Sequence, residues 1–246
     1  MRFCAFASRT GKELLRDPLN LSLSLGFPLF MLVLLSLLGK SIPGEIPMFE
    51  ITRLAPGIVL FSYGFLTLFM ALLLAQDRSG AFLVRLQSSP LRPAGFFLGY
   101  SLPALPIALL QAAVCFTAAF CFGLKADLGV LAALLVLLPT AILFLSVGLI
   151  LGCVLNDKAV GGVGSIFLNV ATIAAGVWFP LDAMEGTTFS RICSALPFLH
   201  GVQAASSALA LDWIGVWQHL SVVLPWTAGT MLLAVFVFSR TMRASR

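Results

Sequence analysis

The feature that most limits what this chain can become is a series of long apolar runs without charge. Runs at about 19–39, 54–75, 94–122, 128–155, 159–177 and 220–239 contain no Asp, Glu, Lys or Arg. A helix needs about 20 mostly apolar residues to cross the hydrocarbon core of a bilayer. Backbone polar groups in that core must be satisfied internally, which a helix achieves by itself. The expected fold is therefore an all-α membrane protein with six transmembrane helices. Composition agrees: 10% of residues are charged and 60% are hydrophobic, where a soluble domain carries about 25% charge. Six spans with short connections use nearly all of the 246 residues, so no separate soluble domain is expected.

Charge placement orients the spans. Of the 15 Lys and Arg residues, all but Lys40, Arg53, Lys125 and Arg191 fall on one side of this topology. The positive-inside rule makes that side cytoplasmic, with both termini there. The net charge of +5 thus reads as membrane orientation, and no nucleic-acid partner is expected. Residues 1–18 carry Arg2, Arg9, Lys12 and Arg16, with Phe3, Phe6, Ala7, Leu14 and Leu15 able to share one helical face. They read as an interfacial helix on the cytoplasmic leaflet, the alternative being a disordered basic tail. The first apolar run is too long for a signal peptide and should remain as a span.

The longest polar break, 76–93, holds Arg78, Arg85 and Arg92 against Asp77. Its middle, 79–87, reads as a short helix with Phe82, Leu83 and Leu86 on one face, stopped by Pro90 and Pro93. Such a helix lies on lipid or docks into a groove on a soluble partner. The stretch 178–217 mixes Trp178, Pro180, Asp182, Glu185, Arg191, His200 and Trp213 with short apolar pieces. These pieces are too short to cross a bilayer and suit re-entrant or interfacial helices on the outer face. Gly161, Gly162 and Gly164 at the start of the fifth run read as a helix-packing face.

Several chemistries lack their residues. The spans hold no ionisable group of the kind an ion-coupled carrier places near the midplane. His200 and His219 do not form an HExxH pair. The sequence 39–41 ends like a phosphate-binding loop, but Leu34 stands where that motif needs Gly. The five cysteines show no CxxC and no metal-ligand spacing. No catalytic residue, metal site or cofactor site is expected in the chain, and any transport must draw its energy from elsewhere.

Three groups of residues in the right order carry a resemblance. The first is Asp77-Arg78-x-Gly80 followed by Leu86 and Ser89-Pro90-Leu91-x-Pro93. The second is Asn156-Asp157 before the glycine-rich run, then Gly176-x-x-Phe179-Pro180-Leu181 and Leu196-Pro197. The third is the basic N-terminal helix running into Asp17-Pro18. Together they resemble the type-2 permeases of ABC exporters. The resemblance implies an ATPase subunit that binds ATP and Mg, a second permease subunit as homo- or heterodimer, and a place in the plasma or inner membrane. It implies that 76–87 is a coupling helix, with Asp77, Arg78, Gly80, Phe82, Leu83, Arg85 and Leu86 at the ATPase contact. Residues 2–16 would be a connecting helix, and 178–211 would be re-entrant helices capping the outer mouth. Spans two and five would line the route, with Phe61, Tyr63, Phe65 and Phe69 from one and Ser165, Asn169 and Thr172 from the other. Beside these roles stand simpler ones: lipid-headgroup anchoring for the arginines, packing for the aromatics, and interhelical hydrogen bonding for the polar trio. With 21 Phe and 2 Tyr, the expected substrate is hydrophobic, drug-like or lipid-like. The alternatives are an ion-coupled carrier and a non-transporting membrane assembly or scaffold subunit, haem delivery included.

Overall fold

The structure is a computed structural model that describes residues 2–42, 47–80, 93–179, 181–184 and 186–244. Its helices are α1 (Arg2–Arg16), α2 (Pro18–Ser41), α3 (Ile51–Ser79), α4 (Pro93–Phe120), α5 (Leu128–Val136), α6 (Leu138–Val154), α7 (Asp157–Ala174), α8 (Thr188–Ala195), α9 (Pro197–Leu209) and α10 (Trp213–Ala244). Two short 3-10 turns, Pro47–Phe49 and Leu181–Met184, complete the described elements. The protein is an all-α membrane protein.

Local chemistry sets the boundaries. Asp17 caps α2 by accepting from the Asn20 amide at 3.1 Å, and Pro18 occupies the first turn, where its missing N–H costs nothing. Asn156 caps α7 through the Ala159 amide at 2.9 Å. Pro139 breaks α5 from α6 at Leu137, yet the two together form one candidate span, Leu128–Val154.

Among the described residues, five helices are long and apolar enough to cross a membrane: α2, α3, α4, α5 with α6, and α10. The fifth expected run is also helical, as α7, but its 18 residues begin with Asp157 and Lys158. At 1.5 Å per residue it is about 27 Å long. Two boundaries differ from expectation. α3 runs on through Ser79, so Gln76, Asp77 and Arg78 belong to the span helix and not to a separate short helix. α10 begins at Trp213, so the region before it is shorter than expected.

α3 is the centre of the packing. Buried residues make up 72% of its apolar window, against 22% for α2 and for α10. It touches α2, α4, α6, α7 and α9. Lipid gives helices little hydrophobic reason to associate, so close van der Waals approach carries the assembly. Gly148 and Gly152 make that approach possible between α6 and α3. A β-carbon at Gly148 would lie 2.6 Å from the Thr67 carbonyl oxygen, and one at Gly152 would lie 2.6 Å from that of Ala71. Thr67 then donates to the Phe144 carbonyl at 2.9 Å. Between α3 and α7 the fit is reciprocal: Leu168 sits over Gly64, and Leu68 over Gly164.

The segment that holds α8 and α9 folds back into the bundle. α9 starts with Phe198 against Phe144 and Phe167, ring centroids 5.7 and 5.9 Å away. It ends near the start of α3, where Ser206 donates to the Thr52 carbonyl at 3.1 Å. Its 13 residues reach about 20 Å, too short to cross. His200 and His219 meet beside it, Nδ1 to Nδ1 at 3.0 Å, with His200 Nε2 at 2.9 Å from the Ser194 carbonyl. With Nε2–H donating to that carbonyl, His200 Nδ1 accepts from His219.

Candidate functional site

At the Ser79 end of α3, charged side chains tie several helices together. Asp77 is 7% exposed. Its carboxylate accepts from both terminal nitrogens of Arg9 on α1, at 2.8 and 3.1 Å. It also accepts from the Tyr100 hydroxyl on α4 at 2.7 Å. A buried carboxylate is tolerable only with such partners, and the fork of Arg9 matches it in geometry as well as charge. Arg9 extends the network to Glu13, one turn along, at 2.6 Å. Burial lowers the affinity of the Arg9 guanidinium for its proton, but the hydrogen bond and charge of Asp77 outweigh this and the net shift is upward. Glu13 is shifted upward by desolvation, against the pull of Arg9.

Arg78, the next residue, reaches the other way. It donates to the Gly152 carbonyl at 2.8 Å and the Leu155 carbonyl at 3.2 Å. These lie at the end of α6, where carbonyls have no helical partner and the dipole favours a cation. Ser79 donates to Asp157 at the start of α7 at 3.3 Å. Three consecutive residues of α3 thus grip α1, α4, α6 and α7. α1 is also seated by Phe6, whose ring lies on Gly99 and packs edge-on to Tyr100 at 5.0 Å.

Gly80 ends the grip in an extended conformation, its amide donating to the Gln76 carbonyl at 3.0 Å. The chain then enters residues 81–92. Phe82, Leu83, Arg85 and Leu86, expected at the ATPase contact, lie outside the described residues, as do Ser89 and Pro90.

The expected route residues separate into two sets. Phe61 and Phe65 pack edge-on at 5.3 Å, and Phe27 of α2 lies 5.8 Å from each. Trp178 closes on Phe61 at 5.4 Å. Phe69 continues the stripe into a cleft shared with Leu14, Leu21 and Gln76. Tyr63 points elsewhere: it is 1% exposed and faces Phe144 in the core. On α7, Ser165 and Asn169 are exposed and bond to carbonyls of their own helix, Gly161 at 2.7 Å and Ser165 at 2.8 Å. Thr172 is fully buried and accepts from the Trp178 indole at 3.1 Å. The three polar residues therefore do not share one accessible face. On α1, Phe6 and Leu14 are buried but Leu15 is 63% exposed, so the expected apolar face is narrower than the sequence pattern.

Among the described residues, no three His, Cys, Asp or Glu side chains converge as a metal site would require. The sequence reading missed Tyr100 and the pairing of Arg9 with Asp77. It also missed Gly148-x-x-x-Gly152, although small residues four apart in an apolar run are a packing signal.

A family model described as ABC-2 type transporter matches residues 1–210. The chain belongs to the ABC-2 type transporter family. No curated protein matches it at a significant level. As an ABC-2 permease it is the membrane subunit of an ABC transporter. The matched segment contains the Asp77 cluster, residues 81–92 and helices α8 and α9, and stops before α10.

Proposed function

We propose that this permease is the membrane half of an ATP-driven exporter, energised by a separate ATPase subunit that binds residues 81–92. The observation that carries this reading is the grip at 77–79. A force applied to 81–92 enters the bundle through Gly80 and meets four helices already fastened to α3. A segment meant only to rest on lipid has no need of such a foundation. Asp77 and Arg78 serve as the fixed base of the coupling segment, and Phe82, Leu83, Arg85 and Leu86 supply its contact with the ATPase. Both termini lie on the cytoplasmic side of the cell membrane in this reading, which the distribution of basic residues supports.

The cargo is hydrophobic, drug-like or lipid-like. Phe27, Phe61, Phe65 and Phe69 form an aromatic stripe near exposed apolar surface on α2, where Phe30 is 57% exposed. The exposed face of α7 faces a second permease subunit, with the route between the two copies. Direction and cargo are tested together by reconstituting the permease with its ATPase and following ATP-dependent movement of a lipophilic dye. The partner is tested first, by purification from detergent-solubilised native membranes with mass spectrometry of what accompanies the chain. An ATPase subunit should accompany the native chain and be lost from Arg85→Glu/Leu86→Asp. These positions are the right probes, because altering Arg78 would uncap α6 within the chain itself. Absence of any ATPase from a folded, abundant chain would overturn the reading.

A further inference from the structure

One side of α1 is used neither by the Asp77 cluster nor by the seat of Phe6. Ala7, Gly11 and Leu15 face Leu102, Pro103 and Pro106 of α4 across an open groove of about 450 Å3, within the range of about 300–1,000 Å3 typical of ligand clefts. The groove has a physical origin. Pro103 and Pro106 interrupt the regular surface of α4. Gly11 leaves its part of the α1 wall without a side chain, and a β-carbon there would only reach ordinary contact with Pro103 Cβ at 3.4 Å. Leu15 and Leu102 are 63% and 50% exposed, and Ser8 is the single polar residue of the lining.

The rim is basic. Lys12 and Arg16, both exposed, follow Ser8 at successive turns of α1. The acids nearest them are engaged elsewhere. Glu13 meets Arg9, and Asp17 caps α2. An apolar trough on a membrane span, with cations at one edge, matches a molecule that has a fatty tail and a negative head. We propose that this groove holds an acyl chain of an anionic phospholipid, with its phosphate against Lys12 and Arg16. Free phosphate would leave the trough unfilled, and a zwitterionic lipid would bring its own cation to the rim. The proposal is independent of the exporter reading.

The test is native mass spectrometry of the full chain, delipidated in detergent and then titrated with palmitoyl-oleoyl phosphatidylglycerol or the matching phosphatidylcholine. Each basic residue near a lipid head contributes about fivefold, so the native chain should prefer phosphatidylglycerol by at least about tenfold. Lys12→Glu should bring the two lipids to near parity. Lys158→Glu makes the same charge change on an exposed residue of α7 and should leave the preference intact. Ser8→Phe, which fills the trough, should lower retention of both lipids. Equal retention by the native chain would overturn the proposal. So would an equal effect of Lys12→Glu and Lys158→Glu, which would mean general surface charge. Unchanged binding to Ser8→Phe would place the lipid elsewhere.

Discussion

Asp77 is the residue on which the most structure depends. It is buried, ionisable and held by three hydrogen bonds from two other helices. Asp77→Asn keeps an acceptor for Tyr100 but removes the charge that holds Arg9. The expected loss is about 1–3 kcal/mol of stability, read as a lowered melting temperature in detergent, with faster tryptic cleavage at Arg9 and Lys12 as α1 comes loose. Tyr100→Phe removes one hydrogen bond and should cost about 1 kcal/mol. Glu13 behaves in the opposite sense. Burial raises its pKa above the ordinary 4.5, and its Oε2 is buried without a hydrogen-bond partner. The folded state holds that proton more tightly than the unfolded chain does. The resulting stabilisation is present below the ordinary glutamate value and is lost as pH rises through the elevated one. Glu13→Gln should therefore match the native protein near pH 4 and gain on it towards pH 7. A melting-temperature difference that stays flat with pH would contradict this. The sequence showed Asp77 as a lone acid in a basic loop, and nothing local to it announced a partner 68 residues away. The Arg9 contact is made by the tertiary fold.

At the scale of the helix, packing rests on small residues set opposite large ones or opposite backbone. Gly148→Val would drive two methyl groups into the Thr67 carbonyl and separate α6 from α3. Overpacking of this kind costs about 1–3 kcal/mol, and here it also removes the Thr67–Phe144 hydrogen bond. Gly164→Leu meets only the end of the Leu68 side chain, which can turn aside, so it should destabilise less than Gly148→Val. Gly161→Leu, with open space around the β-carbon position, should leave the thermal stability of the isolated chain unchanged. The contrast between Gly164 and Gly161 in one thermal-shift experiment tests the packing. The helices themselves were legible from the charge-free runs, because lipid demands them. Their ends were less so. α3 continues through Gln76–Ser79 because Asp77 and Arg78 find partners on neighbouring helices. α10 starts at Trp213 because exposed Trp213 and Trp217 suit the membrane interface, while Asp212 caps the first turn through Gly215 at 3.2 Å. Both ends are set by surroundings that a hydropathy run does not contain.

For the whole molecule, the question is which exposed faces meet lipid and which meet protein. α2 and α10 expose Leu and Phe, as at Leu37 and Leu232, which lipid accommodates without further structure. The exposed face of α7 has a different composition. Gly161 and Gly162 have nothing within reach of a β-carbon, and Ser165 and Asn169 sit beside Ile166 and Val170. Glycines facing lipid gain nothing, whereas glycines facing another helix permit the close approach already seen at Gly148 and Gly152. If a second copy joins the chain, as the proposed function has it, the same logic that joins α6 to α3 within one chain places that copy against α7. A cysteine at Ile166, in a chain whose native cysteines are replaced, should give a covalent dimer on mild oxidation in native membranes. A cysteine at Leu232 on α10, which is more exposed to lipid at 70%, should remain monomeric under the same treatment. If the Leu232 cysteines join and those at Ile166 do not, the two copies meet across α10. The aromatic stripe on α3 would then face away from the other subunit, and the path of the cargo would have to be sought on the other side of the bundle.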